Sequence, residues 1–334
     1  MFRPRHHDIE DRECGLRAFV VVDDTSCGPA AGGIRTCRYP NETAARADAA
    51  ALARAMTYKC ALAGLPAGGG KGVVMLLDTI DRPRAFERLG EFVDSLGGSF
   101  ITAGDLGTTV HDLEAMARRT EHVYVDETGL AEAVGRGCVR AIQACVVERG
   151  GDDVDLSGVH LAVQGCGTVG AAVARAASRL GADVSVADVD DAAAQQLAAA
   201  IAGQVVAVGD ILEIEADVVA PCAVGGVLTA AVAGRLRAGA VCGAANNILA
   251  APDVEETLRE RGITWVPDVV SSSGAVILGV GRRVMGRHDC DELVDRVFDT
   301  AQRVIVEARE RNARAGDVAR ELAEHRIREA RGET

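Results

Sequence analysis

Only two lysines occur among the 36 lysine and arginine residues of this chain, and they lie twelve positions apart, at Lys59 and Lys71. A guanidinium keeps its charge at any working pH, whereas a buried lysine can lose its proton and act as a base. Because the chain otherwise uses only arginine as its basic residue, the two lysines indicate a site that needs amines rather than guanidinium groups.

Lys71 lies in residues 68–72, a glycine-rich run that predicts a turn before an apolar strand. In an apolar cleft beside a second cation, desolvation and like charge lower the pKa of a lysine, so that it can act as a base near neutral pH. The alternative is that both lysines are ordinary surface cations.

Residues 160–170 have the order of a dinucleotide-binding turn: a strand, the spacing G-x-G-x-x-G, then a helix. Gly165 permits the tight turn, Gly167 lets the backbone approach a pyrophosphate, and Gly170 lets the helix pack on the strand. Free N–H groups at the helix N-terminus would bind the phosphates. The candidate cofactor residues of this turn are Gly165, Gly167, Thr168, Val169 and Gly170.

The next predicted strand ends at Asp188. Its carboxylate would accept hydrogen bonds from the ribose hydroxyls and repel a 2′-phosphate, which favours NAD over NADP. Asp190 is close enough in sequence to be the ribose partner instead. The alternative to a cofactor site is a simple turn followed by a surface aspartate.

The elements that must position these residues alternate between strand and helix. A long helix is predicted over residues 130–149, and the Val/Ala-rich strands of residues 159–265 have the pattern of a parallel, doubly wound sheet. We expect an α/β protein with two domains. Residues 1–130, completed by C-terminal helices over residues 290–334, would form an α/β catalytic domain, and residues 135–280 a Rossmann-type NAD-binding domain.

Composition argues against several classes of protein. The net charge of −13 provides no basic excess for binding nucleic acid. No apolar run is long enough to span a bilayer, and the N-terminus has no apolar segment of a secretory signal, so we expect a cytoplasmic protein without a membrane partner. The ten cysteines form no C-x-x-C pair, which predicts small core residues and no metal site.

Further motifs accompany the lysines and the turn. In chain order they are Met56-Thr57-Tyr58-Lys59, Gly68-Gly69-Gly70-Lys71-Gly72, Thr102-Ala103-Gly104-Asp105-Leu106-Gly107, the dinucleotide turn, Pro221-Cys222-Ala223 and Ala245-Asn246-Asn247. With them the chain resembles the glutamate/leucine/phenylalanine/valine amino-acid dehydrogenases over most of its length, and is most similar to the leucine, valine and phenylalanine branch. The resemblance implies a homo-oligomer that deaminates an L-amino acid oxidatively, with NAD, to a 2-oxo acid and ammonia.

The resemblance also implies roles for individual residues. Lys59 would bind the substrate carboxylate, Lys71 would activate the water that attacks the iminium, and Asp105 would move protons to and from the amine. The other substrate-binding candidates are Gly69, Ala31, Ala103, Asn247 and Val276. The other cofactor-binding candidates are Cys222, Ala223 and Asn246. The adjacent asparagines could instead form a simple turn.

The chain departs from the family pattern at three places. Residues 125–130 run almost directly into the long helix, so that the segment before it is shortened and Val134 falls where a cofactor-binding threonine is expected. Ser272-Ser273-Gly274-Ala275 replaces an Asn-Ala-Gly-Gly sequence, and Gly104 stands where leucine-type enzymes commonly carry glutamate. The alternatives are a non-catalytic NAD-binding protein of this fold and an imine reductase.

Small or apolar residues are expected to line the pocket for the substrate side chain. Ala31 stands where leucine-type enzymes often carry leucine, and the other candidate walls are Ala103, Val276 and Gly279. Removing methylenes from such a wall shifts substrate preference by roughly 1–3 kcal/mol. Because these walls are small, we expect the substrate to be a bulky apolar or aromatic amino acid. A glutamate side chain is not expected, since no lysine or arginine is present at these positions to bind it.

Overall fold

The computed structural model describes residues 3–150 and 155–333. Its contacts divide the chain into two compact units. The first consists of the residues up to 128, residues 279–288 and the residues from 323 onwards, and the second of residues 129–278 and 289–322. The chain passes from the first unit to the second between residues 128 and 129.

The first unit is built on a five-stranded mixed sheet. Its strands are β1 (Arg5–Asp11), β2 (Leu16–Asp24), β3 (Ala30–Cys37), β4 (Gly68–Met75) and β5 (Phe100–Gly104), in the spatial order β1-β2-β4-β3-β5. Its helices are α1 (Glu42–Leu62), α2 (Arg82–Ser95) and α3 (Val110–Ala117). β3 is parallel to both β4 and β5, whereas β2 is antiparallel to β1 and β4.

The two faces of this sheet pack against different helices. On one face Ile34 and Val74 belong to an apolar cluster that includes α2, and on the other Val73 packs with the alanines of α1. Side chains alternate between the faces along a strand. Lys71, two residues before Val73, therefore lies on the α1 face.

The glycine-rich run at residues 68–72 forms the first five residues of β4, and the predicted turn is wrong. A Cβ added at Gly69 would lie 2.1 Å from the backbone N of Thr57 in α1, and one added at Gly68 would lie 1.9 Å from the carbonyl O of Asp24 in β2. Glycine is needed here because α1 and β2 approach the strand too closely for a side chain.

Gly69→Ala is expected to lower the free energy of unfolding by ~3 kcal/mol, because the new Cβ meets the rigid backbone of α1. Gly72→Ala is the matched control in the same strand. Its Cβ would lie 2.3 Å from Cδ1 of Ile34, the movable end of a side chain, so we expect a loss of only about 1 kcal/mol. Chemical denaturation measures both values, and equal stability of the two variants would contradict this account of the run.

The second unit contains a six-stranded sheet whose strand pairs are all parallel. Its strands are β6 (His160–Gln164), β7 (Asp183–Ala187), β8 (Gln204–Val205), β9 (Val218–Pro221), β10 (Ala240–Val241) and β11 (Thr264–Trp265), in the order β11-β10-β9-β6-β7-β8. The chain runs outward from β6 to β8 and then in the opposite direction from β9 to β11. This is the strand order of a Rossmann fold, with its switch point between β6 and β9.

The remaining helices belong for the most part to the second unit. In chain order these are α4 (Leu130–Glu148), α5 (Thr168–Arg179), α6 (Asp191–Ile201), α7 (Ala230–Arg235), α8 (Val254–Glu260), α9 (Asp268–Ser271), α10 (Gly274–Arg283), α11 (Asp291–Asp295), α12 (Val297–Glu310) and α13 (Ala315–Ala330). In the described part of the chain, no helix has both the length and the apolar character needed to cross a bilayer.

The C-terminal helices are divided between the two units, which corrects the expectation that residues 290–334 complete the first. α11 and α12 pack on α4, and α12 buries an apolar face that contains Ala301 and Val304. Only the second half of α13 joins the first unit, where Ala323 packs with Ala61 of α1. Sequence periodicity shows that these helices are amphipathic but does not show which surface they cover.

Candidate active site

Lys71 and Asp105 form a buried ion pair in the first unit. Lys71 is only 6% exposed, and its Nζ lies 2.6 Å from Oδ2 of Asp105. Asp105 follows β5, in a loop that is fixed to β3 because Thr108 Oγ1 donates a hydrogen bond to the carbonyl O of Ile34 at 2.7 Å. The structure thus brings together the two residues that were predicted to be catalytic.

The surroundings of this pair favour proton transfer. Burial lowers the pKa of the Lys71 ammonium, although the Asp105 carboxylate acts in the opposite direction. Burial alone would raise the pKa of Asp105, but the charges of Lys71 and Arg35 outweigh it, and the net effect is to lower that pKa. Lys71 therefore releases its proton more readily than an ordinary lysine, beside a carboxylate that stays ionised.

Three residues of this site were missed by sequence reasoning. Nε of Arg35 lies 3.2 Å from Oδ2 of Asp105, and Nη1 of Arg35 lies 3.2 Å from Oδ2 of Asp48. The Tyr39 hydroxyl donates a hydrogen bond to the same Asp48 oxygen at 2.6 Å. The second cation that acts on Lys71 is thus Arg35.

Lys59 lies in the last turn of α1 and is 7% exposed. The end of α13 holds this turn in place. The Tyr58 hydroxyl donates a hydrogen bond to Oε1 of Glu324 at 2.9 Å, and Ala61 packs with Ala323. These contacts fix the helix end that carries Lys59, whose role towards a substrate carboxylate stays a prediction.

Ala31, Gly69 and Ala103 lie on three adjacent strands. Ala31 is the register partner of Gly69, and Gly33, two residues after Ala31, is the partner of Ala103. In parallel strands, register partners point to the same face of the sheet. The predicted substrate contacts of the first unit therefore lie on the face that carries Lys71.

Gly104 leaves room for a glutamate from another part of the chain. A Cβ added at Gly104 would lie 2.3 Å from Oε1 of Glu127. Glu127 belongs to the shortened segment before α4, so two of the departures from the family pattern meet in space. Sequence reasoning missed Glu127 because more than twenty residues separate it from Gly104.

The dinucleotide turn of the second unit has the conformation that its glycine spacing predicts. Gly165 has φ +101°, in the left-handed region that favours glycine, and a Cβ added at Gly170 would lie 1.9 Å from the Gly165 carbonyl O. Gly167 is the N-cap residue of α5 and provides no side-chain cap, and a Cβ added there would meet no atom within 4 Å beyond its neighbours in the chain. The backbone N–H groups of Thr168 and Val169, at the start of α5, are therefore suited to donate hydrogen bonds to a pyrophosphate.

Asp188 directly follows β7. Its carboxylate accepts hydrogen bonds from the N–H groups of Asp190, at 2.9 Å, and Cys166, at 2.6 Å, and these bonds lower the pKa of Asp188. Asp190 caps α6 by accepting hydrogen bonds from the N–H groups of Ala192 and Ala193. Asp188 is therefore the better candidate for a ribose partner.

Cys222 and Ala223 follow β9 and lie next to the dinucleotide turn. The Cys222 N–H donates a hydrogen bond to the carbonyl O of Gln164 at 2.7 Å, and a Cβ added at Gly165 would lie 2.8 Å from the Ala223 N. These residues border the switch point of the sheet, where such folds bind cofactors. The structure thus brings two groups of cofactor candidates together, and their arrangement fits a dinucleotide.

Asn246 and Asn247 form an exposed turn after β10. Asn247 has φ +54°, which asparagine tolerates, and its N–H donates a hydrogen bond to Oδ2 of Asp268 at 3.0 Å. Val276 is half-buried in α10, and Val134 is buried in α4. The contacts of Asn246 with cofactor, and of Asn247 and Val276 with substrate, stay predictions.

All ten cysteines lie in the described part of the chain and are free thiols. Burial raises the pKa of the Cys166 thiol to about 11, so this residue is protonated at neutral pH and is not a nucleophile. Within residues 3–150 and 155–333, no group of three or more His, Cys, Asp or Glu side chains is placed to hold a metal ion.

Two family models match the chain. Residues 5–122 match the Glu/Leu/Phe/Val dehydrogenase dimerisation domain, and residues 189–281 match the glutamate/leucine/phenylalanine/valine dehydrogenase model. The leucine dehydrogenase of Geobacillus stearothermophilus is 34% identical over 327 residues, which cover 95% of this chain and 89% of the relative. The valine dehydrogenase of Streptomyces albus is 36% identical over 334 residues, with coverages of 96% and 91%.

A solved structure supports the same relationship. The crystal structure of L-tryptophan dehydrogenase from Nostoc punctiforme matches with a TM-score of 0.87 at 33% identity, and the match covers 98% of this chain and 96% of that chain. The chain therefore belongs to the glutamate/leucine/phenylalanine/valine dehydrogenase family. It is an amino-acid dehydrogenase with a two-domain α/β fold, which confirms the predicted family, enzyme class and fold.

Proposed function

We propose that the protein oxidatively deaminates an apolar or aromatic L-amino acid to its 2-oxo acid, with NAD as the hydride acceptor and reductive amination as the reverse reaction. The observation that carries this proposal is the buried Lys71–Asp105 pair, which provides a base of lowered pKa beside an ionised carboxylate. The intact pair also argues against a non-catalytic NAD-binding protein.

Lys59, Lys71 and Asp105 of the first unit each have one task in this reaction. Lys59 binds the substrate carboxylate. Bound NAD supplies the acceptor for the hydride that leaves the substrate Cα. Asp105 takes a proton from the substrate ammonium before the hydride leaves. Neutral Lys71 removes a proton from the water that attacks the iminium carbon, and Asp105 returns its proton to the nitrogen, which leaves as ammonia. In total, amino acid, water and NAD⁺ give 2-oxo acid, ammonium, NADH and one proton.

The choice of NAD over NADP rests on Asp188. Its carboxylate is ionised at neutral pH, and hydrogen bonds from the backbone N–H groups of Asp190 and Cys166 lower its pKa further. An ionised acid at the end of the second strand of a Rossmann fold accepts hydrogen bonds from ribose hydroxyls, and a 2′-phosphate would be repelled there.

The proposed substrate class rests on small residues and on the relatives. Ala31 and Ala103 are small residues on the face of the sheet that carries Lys71, and the family includes a tryptophan dehydrogenase that is 33% identical to this chain. The match to a dimerisation domain supports a homo-oligomer. A cytoplasmic location also stays a prediction.

The test is a panel assay that follows NADH formation at alkaline pH with twenty amino acids, and reductive amination of the matching 2-oxo acids. We expect turnover with NAD and much less with NADP, and faster turnover of phenylalanine or tryptophan than of valine, because small walls favour large side chains. Valine turned over much faster than phenylalanine and tryptophan would contradict the substrate class. NAD binding without turnover of any amino acid would favour a non-catalytic protein.

A further inference from the structure

We propose that Arg35 and Asp48 are positioning residues of this reaction: Arg35 holds the Asp105 carboxylate, Asp48 holds Arg35, and the two together set the charge around Lys71. The inference rests on the proposed function, in which Lys71 is the base. It adds a second group of charged residues to the lysine–aspartate pair, and all of them lie in the first unit.

One oxygen of Asp105 is shared between two cations. Lys71 Nζ lies 2.6 Å from Oδ2, and Arg35 Nε lies 3.2 Å from the same atom. A guanidinium does not lose its proton at any working pH. Arg35 therefore keeps its bond to the carboxylate after Lys71 has become neutral, and Asp105 keeps one orientation while the charge of its other partner changes.

Arg35 is in turn held by a second carboxylate. Its Nη1 lies 3.2 Å from Oδ2 of Asp48, to which the Tyr39 hydroxyl donates at 2.6 Å. Burial and the Asp48 carboxylate raise the pKa of Tyr39, so it remains a hydroxyl donor. The side chains of Arg35 and Asp48 are only 18% and 30% exposed, so salt screens their charges less than it screens charges at the surface.

Arg35 and Asp48 act on Lys71 in opposite directions. Burial is the largest influence and lowers the pKa of Lys71, while the Asp105 carboxylate raises it. Beyond these, the positive charge of Arg35 lowers this pKa and the negative charge of Asp48 raises it. Removing one or the other should therefore move the titration of Lys71 in opposite senses.

The elements packed on β4 add few other ionisable groups near Lys71. β2 places Val21 opposite it, and the end of β5 contributes Asp105. β3 contributes Arg35 and Cys37, whose pKa burial raises, and α1 contributes Asp48. α1 has six other ionisable residues: Glu42, Arg46, Arg54, Tyr58, Lys59 and Cys60. Glu42 pairs with Arg46, Arg54 pairs with Asp23, and the Tyr58 hydroxyl donates a hydrogen bond to Glu324. Burial raises the pKa of the Cys60 thiol to about 12.

The experiment compares the pH dependence of kcat/KM for deamination in the wild type, Arg35→Met and Asp48→Asn. Arg35→Met should move the midpoint of the rising limb up by ~1 pH unit, and Asp48→Asn should move it down by a similar amount. The substrate ammonium titrates identically in all three enzymes, so that differences between the profiles come from the protein.

The chain offers a matched control in Arg38→Met and Asp78→Asn. Arg38 and Asp78 also form an ion pair, but their side chains are 68% and 81% exposed. The same changes of residue type should leave the midpoint unmoved. A purely structural role for Arg35 and Asp48 would lower the rates without signed shifts, so unchanged midpoints, or shifts in the same direction, would overturn the proposal.

A second readout does not need turnover. In protein labelled with ¹³C at the lysine Cε, the only side-chain signals come from Lys59 and Lys71, and the Lys71 signal should show the same signed shifts. If one variant does not fold, the direction in which the Lys71 titration shifts in the other variant still tests the proposal. If the wild type shows no turnover, the proposed function is contradicted. If wild-type turnover depends on Lys71 but the Lys71 signal shifts in the wrong direction in the variants, only this inference is contradicted.

Discussion

Lys71→Arg is expected to lower kcat for amino-acid deamination by ~10³-fold, within the usual range for the loss of a general base. Arginine keeps a cation beside Asp105 but cannot give up its proton to become a base. Lys71→Met should be equally damaging, although it removes the cation as well. The measurement is kcat at saturating amino acid and NAD.

The reciprocal exchange, Arg38→Lys, is the matched control because Arg38 is exposed and pairs only with Asp78 among the described residues. We expect it to leave kcat unchanged. Thermal unfolding and NAD binding of Lys71→Arg should stay close to those of the wild type, since NAD is expected to bind the second unit. A Lys71→Arg enzyme that keeps more than about a tenth of the wild-type kcat would contradict the assignment of the base.

Asp105→Asn is expected to lower kcat by ~10²- to 10⁴-fold. The amide has nearly the shape of the carboxylate but cannot accept and return a proton. It also leaves Lys71 and Arg35 beside each other without the negative charge that they share. Because that charge raises the pKa of Lys71, the residual activity should titrate at lower pH than in the wild type.

Asp78→Asn serves as the control for this change, since it replaces an exposed carboxylate that pairs with Arg38. Its kcat and pH profile should match those of the wild type. An Asp105→Asn enzyme with nearly normal kcat would show that Asp105 does not exchange protons with the reacting nitrogen. A pH profile moved upward would contradict the effect of its charge on the pKa of Lys71.

The Rossmann unit could be predicted well because its pattern is local. The turn at Gly165, the helix after it and the acid at Asp188 follow within one stretch of chain, and each residue type has its own steric or electrostatic reason. The adjacent asparagines at residues 246–247 could likewise be interpreted locally as a turn, and the positive φ of Asn247 supports that interpretation.

The glycines before Lys71 show why other parts could not be predicted. A glycine run is typical of a turn, but here the glycines lie in a strand, because α1 and β2 approach it too closely for side chains. That reason exists only in the folded protein. β1 was also missed, since this edge strand is largely exposed and has no apolar run.

Arg35 was hidden by composition. The rarity of lysine drew attention to Lys71, whereas Arg35 is one arginine among many. Its signal was positional: it lies four residues after Ala31 on the same strand, and therefore on the same face of the sheet. That signal becomes visible only once β3 is known to lie beside β4.

The most direct test of the central claim, that Lys71 is a base of lowered pKa, is a pH titration of the two lysine signals in wild-type protein labelled with ¹³C at lysine Cε. Lys71→Met removes one signal and thereby assigns it. We predict that the Lys71 signal titrates below the ordinary lysine value of about 10.4. A Lys71 signal that titrates at or above that value would contradict the account.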